Sequence, residues 1–128
     1  MLFRSAILTP HEGEFRTLFG EIHGSKPERA LGAARRSGAV IVYKGPDTLV
    51  AGPDGRLGFA PPAPAWLASA GTGDVLAGVI AAMRARGLSS FEAAVAAVWL
   101  HGRAAEIAGP HMIADDLADA IPAALADL

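Results

Sequence analysis

Cysteine is absent from this chain, which excludes a disulfide framework and a thiolate metal site and suits a reducing compartment. Positive charge is not in excess either. Eleven Lys and Arg stand against 13 Asp and Glu, so the field that neutralises a nucleic-acid backbone is missing, and nucleic acid is excluded as a partner. Long apolar runs are lacking: Ala93 to Leu100 falls well short of a membrane span, and the first residues do not follow a signal-peptide plan. The four His are scattered without metal-ligand spacing. A soluble, cytoplasmic protein with no membrane contact is the expectation. At 128 residues the chain reads as one domain, residues 1–128, large enough for a core but short for a nucleotide-using enzyme.

What the chain does have is glycine in a telling place. Ala70-Gly71-Thr72-Gly73-Asp74 precedes the apolar run Val75-Leu76-Ala77-Gly78-Val79-Ile80 and puts a lone carboxylate where a loop becomes a helix. Glycines let the backbone approach a ligand closely, and the free N–H groups of a helix start suit phosphate. A carboxylate would repel a phosphate, so Asp74 makes more sense as a base that deprotonates a group attacking it. Taken alone, the segment reads equally well as a turn in which Asp74 caps the helix.

The rest of the chain alternates short strands and helices. Ala6 to Leu8 reads as a strand, with Thr9 as N-cap and Pro10 as first residue of a helix to about Phe19. Ser25 and Glu28 form a capping-box signal for a helix that Gly38 ends after Ser37. Ala39 to Tyr43 is the continuous β-branched run of a strand covered on both faces. Thr48 to Ala51 and Arg56 to Ala60 form a hairpin about Gly52-Pro53-Asp54-Gly55, and Pro61 to Pro64 is an extended loop. Helices follow from Asp74 to Arg84 and, after Ser89 and Glu92, from Phe91 to Ala108. This pattern predicts an α/β layered domain with a mostly parallel sheet, one β-hairpin and packed helices. Its predicted core is Ile7, Leu8, Val40, Ile41, Val42, Val75, Leu76, Val79, Ile80, Val95 and Val98.

Two further segments accompany the glycine loop: Leu8-Thr9-Pro10-His11-Glu12-Gly13-Glu14-Phe15 and Val40-Ile41-Val42-Tyr43-Lys44-Gly45-Pro46-Asp47-Thr48. In this order the three resemble the ribokinase-like superfamily and, within it, the ADP- or ATP-dependent NAD(P)H-hydrate dehydratases. Leu100-His101-Gly102 and Ala114-Asp115-Asp116-Leu117 extend the likeness to nearly the whole chain. On its own, Lys44 after a strand reads more readily as a solvated lysine, and His11 as a cap. The resemblance implies that Lys44, Gly45, Pro46, Asp47 and Thr48 contact an adenine nucleotide together with Gly73. It implies that the Gly71 to Gly73 amides, Thr72 between them, stabilise a transferring phosphoryl group, and that Asp74 is the catalytic base. His11, where vitamin kinases of the superfamily carry Asn, is implied to contact hydrated NAD(P)H together with Asp74.

The implied reaction phosphorylates the ring hydroxyl from ADP or ATP and expels phosphate. Mg²⁺ serves as cofactor, with Glu14 as its organiser through water. Where the family commonly has Pro the chain has Glu12, an added charge that favours the helix dipole and is awkward for a phosphate. The resemblance also implies an N-terminal half that does not precede Met1. The chain is therefore expected to be the C-terminal part of a ribokinase-like domain, whose uncovered apolar surface favours a homo-oligomer. A sugar or vitamin kinase and an inactive interaction module are the rival readings. His101 reads as a satisfied core histidine, and Trp66 as loop packing or a cover for a base.

Overall fold

The computed structural model describes residues 5–128, and Met1, whose standing as a start the sequence raises, lies outside them. The elements are β1 (Ile7–Leu8), α1 (Glu12–Phe19), α2 (Lys26–Ser37), β2 (Val40–Tyr43), β3 (Leu49–Ala51) and β4 (Leu57–Phe59). After a short 3-10 turn (Ala65–Ala68) come α3 (Thr72–Ala85), α4 (Ser90–Ala108) and α5 (Ala114–Ala126). The sheet runs β1-β2-β3-β4. Ile7 pairs with Val40 in the parallel sense, whereas Ile41 pairs with Ala51 and Val50 with Gly58 antiparallel.

The α/β layered class and the hairpin are as expected, but the sheet is mixed rather than mostly parallel. An unbroken apolar strand reports that both its faces are covered, not which way its neighbours run. Every residue of β2 is buried. Ile41 and Tyr43 face α1 and α2 in a cluster with Phe15, Ala30, Ala33 and Ala34. Val40 and Val42 face the other way, into a larger cluster built on α3, α4 and α5.

Several boundaries differ from expectation for local reasons. Thr9 and Pro10 do not start α1. Its N-cap is His11, and the Pro10 carbonyl instead accepts the Lys44 N–H at 2.9 Å. Asp74 does not begin α3: Gly71, at φ 84°, is the N-cap, which makes Asp74 the third helical residue. Of the predicted core, Val95 is 38% exposed. Ile7, Leu8 and Val75 are only half-buried. Ser89 and Glu92 form the expected reciprocal capping box of α4, which α3 and α5 cover on two sides. No helix among the described residues is long and apolar enough to cross a membrane.

Candidate functional site

A cleft of about 720 Å³ opens between the segment after β2, the proline loop and the first turns of α3 and α4's C-terminal half. His11, Lys44, Gly45, Pro46, Thr48, Thr72 and Gly73 all contribute to its wall. The segment after β2 is a tight turn closed on itself. Thr48 Oγ accepts the Gly45 N–H at 3.2 Å and donates to the Gly45 carbonyl at 3.0 Å. A Cβ at Gly45 would come within 2.8 Å of Lys26 Nζ, so a side chain there would displace the lysine head. Lys26 is in turn held by Asp47 at 2.7 Å, so the Asp47 carboxylate is spent on this ion pair, which holds it below the usual carboxylate range.

The start of α3 is left open to an anion. Gly71 offers no side chain as a cap. The Thr72 N–H reaches the Ser69 carbonyl and the Val75 N–H the Gly71 carbonyl, both at 3.4 Å, whereas the Gly73 and Asp74 N–H groups have no acceptor among the described residues. Lys44 Nζ lies against this turn, 3.2 Å from where a Cβ of Gly73 would stand. Two free amides and an ammonium therefore converge at the positive end of a helix dipole. Asp74 is exposed beside them, and its carboxylate accepts no hydrogen bond among the described residues. The capping reading of Asp74 is thereby removed.

On the opposite wall His11 does act as a cap. Its Nδ1 accepts the Glu14 N–H at 3.1 Å, while its own N–H donates to Glu14 Oε1 at 3.1 Å. An accepting Nδ1 puts the proton of the neutral ring on Nε2, 3.3 Å from Glu14 Oε1. The hydrogen bond from the His11 backbone keeps Glu14 ionised below the usual carboxylate range. Glu12 turns away from the cleft. It accepts from the Tyr43 hydroxyl, from Arg29 at 3.1 Å and from Arg16 at 3.2 Å. Burial and that carboxylate push the Tyr43 phenol up to about 12, and Tyr43 and the arginines lower Glu12. The repulsion expected between Glu12 and a phosphate is thus offset by two guanidinium groups, and Glu12 instead ties α1 to the end of β2.

The sequence-predicted residues divide accordingly. His11, Lys44, Gly45, Pro46, Thr48, Thr72 and Gly73 share the cleft, whereas Asp47, Gly71 and Asp74 stand outside its lining. Glu14 is within electrostatic reach of Lys44. Trp66 donates from Nε1 to the Ala105 carbonyl at 2.8 Å and packs the loop. The large ring on the cleft wall is Trp99, accompanied by His101, Arg103 and Glu106. The sequence does not assign them to the site because α4 reads as nearly apolar and His101 as a core histidine, although His101, Arg103 and Glu106 are the polar residues of its C-terminal half. Arg103 is fixed there by Asp127 at 2.6 Å and Glu106 at 2.9 Å.

The model of the NAD(P)H-hydrate dehydratase family matches residues 3–124. A bifunctional NAD(P)H-hydrate repair enzyme of Salinibacter ruber is 46% identical over 94% of this chain and 24% of its own length. Among solved structures, the ADP/ATP-dependent NAD(P)H-hydrate dehydratase of Bacillus subtilis, co-crystallised with ATP and Mg²⁺ and soaked with CoA, superposes with a TM-score of 0.86. It is 36% identical over 94% of this chain and 48% of that one. A ribokinase-like superfamily protein of Enterococcus faecalis, 24% identical over 94% of this chain and 44% of that one, shares the fold with a TM-score of 0.83. The chain thus spans about a quarter of the Salinibacter relative and about half of the Bacillus one.

Proposed function

The chain belongs to the NAD(P)H-hydrate dehydratase family, and on that premise we propose that it carries, as one domain, the nucleotide site and base of an enzyme returning hydrated NADH or NADPH to NADH or NADPH. The observation that carries the reading is the open start of α3, where the unaccepted Gly73 amide and the Lys44 ammonium meet on the cleft that also holds His11, with the unaccepted Asp74 amide next to them in the chain.

The chemistry follows from the substrate. Its ring bears a hydroxyl at C6 next to nitrogen, and hydroxide is a poor leaving group at neutral pH. Asp74 accepts the hydroxyl proton as the oxygen bonds to the terminal phosphorus of ADP or ATP and the bond to the departing nucleotide breaks. The Gly73 and Asp74 amides and Lys44 hold the charge on the transferring group. The nitrogen lone pair then expels phosphate from C6, and loss of a proton from C5 restores the ring double bond. The His11 Nε2–H is a donor suited to an acceptor oxygen of the hydrated nicotinamide.

No cluster of three or more His, Asp or Glu able to hold a metal occurs among the described residues. In this reading Mg²⁺ would be carried on the nucleotide phosphates, mostly hydrated, with ionised Glu14, within electrostatic reach of Lys44, as its water-mediated contact. When bound, Mg²⁺ neutralises phosphate charge. The reading assigns the protein to the cytoplasm.

Lys44→Ala removes a charge-assisted phosphate contact and is expected to weaken ADP and ATP binding about tenfold by calorimetry. Unchanged affinity would move the nucleotide site elsewhere. Mass spectrometry of the reaction with hydrated NADH separates the lyase from a kinase. The lyase gives NADH and free phosphate, and a kinase leaves a stable phosphate ester. Phe59, Val95, Ile107 and Ile113 are exposed apolar residues, at 67%, 38%, 39% and 61%. Self-association is therefore part of the reading, and light scattering at high micromolar concentration should give a mass above the monomer.

A further inference from the structure

His101 is the one histidine among the described residues that the fold buries, at 8% exposed. Its Nε2 lies 2.8 Å from the Thr72 carbonyl oxygen. A carbonyl oxygen only accepts, so Nε2 carries the proton and donates. As the first residue of α3, Thr72 already offers that carbonyl to the helix ladder, so the histidine bond is not needed to satisfy the backbone. An apolar residue here would spare the chain the desolvation of an imidazole.

The position of the bond explains what it adds. The Thr72 carbonyl and the Gly73 N–H belong to one planar peptide group. Donation to the oxygen draws electron density along that group and makes the N–H a stronger donor, as in any chain of hydrogen bonds. Gly73 N–H is one of the two amides without an acceptor, and Lys44 Nζ stands over the same glycine. Thr72 is also pinned from its side chain. Its hydroxyl lies 2.8 Å from the Leu67 carbonyl and 2.9 Å from that of Ser69. The peptide plane is therefore clamped between the 3-10 turn and α4.

We propose that His101 is a positioning residue for the phosphate loop: from α4 it fixes the Thr72–Gly73 peptide and strengthens the Gly73 N–H that faces the anion. Burial, with the Lys44 charge adding to it, keeps the imidazole below its ordinary range, so it works as a neutral donor and adds no charge of its own. The inference rests on the nucleotide reading of the cleft, and its test separates the two.

The experiment compares the wild-type chain with His101→Leu, which removes the donor, and His101→Gln, whose amide N–H reaches the place of Nε2. NMR of the ligand-free proteins reads the Thr72 carbonyl carbon and the Gly73 amide, and calorimetry reads ADP binding. The expected result is a shift of both resonances in the Leu variant, an ADP affinity lowered fivefold to tenfold, and recovery of most of both in the Gln variant. A purely structural role would lower thermal stability in both variants and leave the Gly73 amide unmoved in the Gln–Leu comparison. Unmoved Thr72 and Gly73 resonances, or equal ADP affinity in wild type and the Leu variant, overturn the proposal. A wild-type chain that binds no ADP overturns the nucleotide reading and, with it, the phosphate role of His101. If the Leu variant does not fold, His101→Asn replaces it, since its amide reaches only to the place of Nδ1.

Discussion

Asp74→Asn is expected to lower turnover of hydrated NADH by about 100-fold or more while leaving ADP and ATP affinity near wild type. The expectation follows from where the carboxylate stands. It is exposed, third in α3, next to the two free amides, and no donor among the described residues engages it. Asparagine keeps its size and removes its basicity. The substitution gives up only the favourable charge near a helix N-terminus, about 0.3–1 kcal/mol, so the fold is retained. A side chain serving only as a cap would give the reverse result, preserved turnover and reduced stability. His11→Asn is the companion variant. Asparagine caps a helix well and keeps α1 in place, but it lacks the Nε2–H. It should therefore raise the KM for hydrated NADH more than the Kd for nucleotide. Near-normal repair by Asp74→Asn would remove the base assignment. Unaltered substrate affinity in His11→Asn would return the superfamily kinase to equal standing.

Phe15→Ala is expected to cost about 3–5 kcal/mol in urea unfolding. Phe15 is 1% exposed and is the one buried residue of α1. Its ring stacks on Tyr43 with centroids 4.3 Å apart and meets Phe19 at 5.1 Å. The single turn that presents His11 to the cleft is thus held by one aromatic contact and by the Glu12 bonds to Tyr43 and Arg29. Against a total stability of about 5–15 kcal/mol for a domain of this kind, the loss is large. Leu18→Ala, on the same helix but 58% exposed, should fall within about 0.5 kcal/mol of wild type. Equal effects of the two substitutions would mean that α1 is not anchored through Phe15.

Where an element depends on its own residues, the sequence was a good guide. Ser25 and Ser89 cap α2 and α4, Gly38 ends α2 at φ 73°, and Gly52 to Gly55 turn the hairpin. The direction of β3 was less legible, because both faces of β2 are covered whether its neighbour runs parallel or not. Val95 reads as core because its helix is nearly apolar all round, so the residues alone do not say which face α3 and α5 cover. The turn at Gly45 is legible in its own residues, but a nucleotide role for Lys44 to Thr48 is implied only by the family resemblance, since Lys44 alone reads as a solvated lysine. Trp99, His101 and Arg103 could not be placed at the cleft, because they reach it through the packing of α4. Glu12 needed long-range information too, since its charge is decided by Arg29 and Tyr43.

The alternation along β2 has a mechanical consequence. Ile41 and Tyr43 join the cluster that carries His11, and Val40 and Val42 join the one that carries Thr72 and His101. The two walls of the cleft thus rest on two hydrophobic clusters with the sheet between them, Leu49 and Ala51 of β3 joining one and Val50 the other. Opening α1 locally would release His11 while the amides of α3 stay assembled. A ligand that touches both walls acts as a cross-brace between the clusters. It would raise the hydrogen-exchange protection of α1 and α3 together.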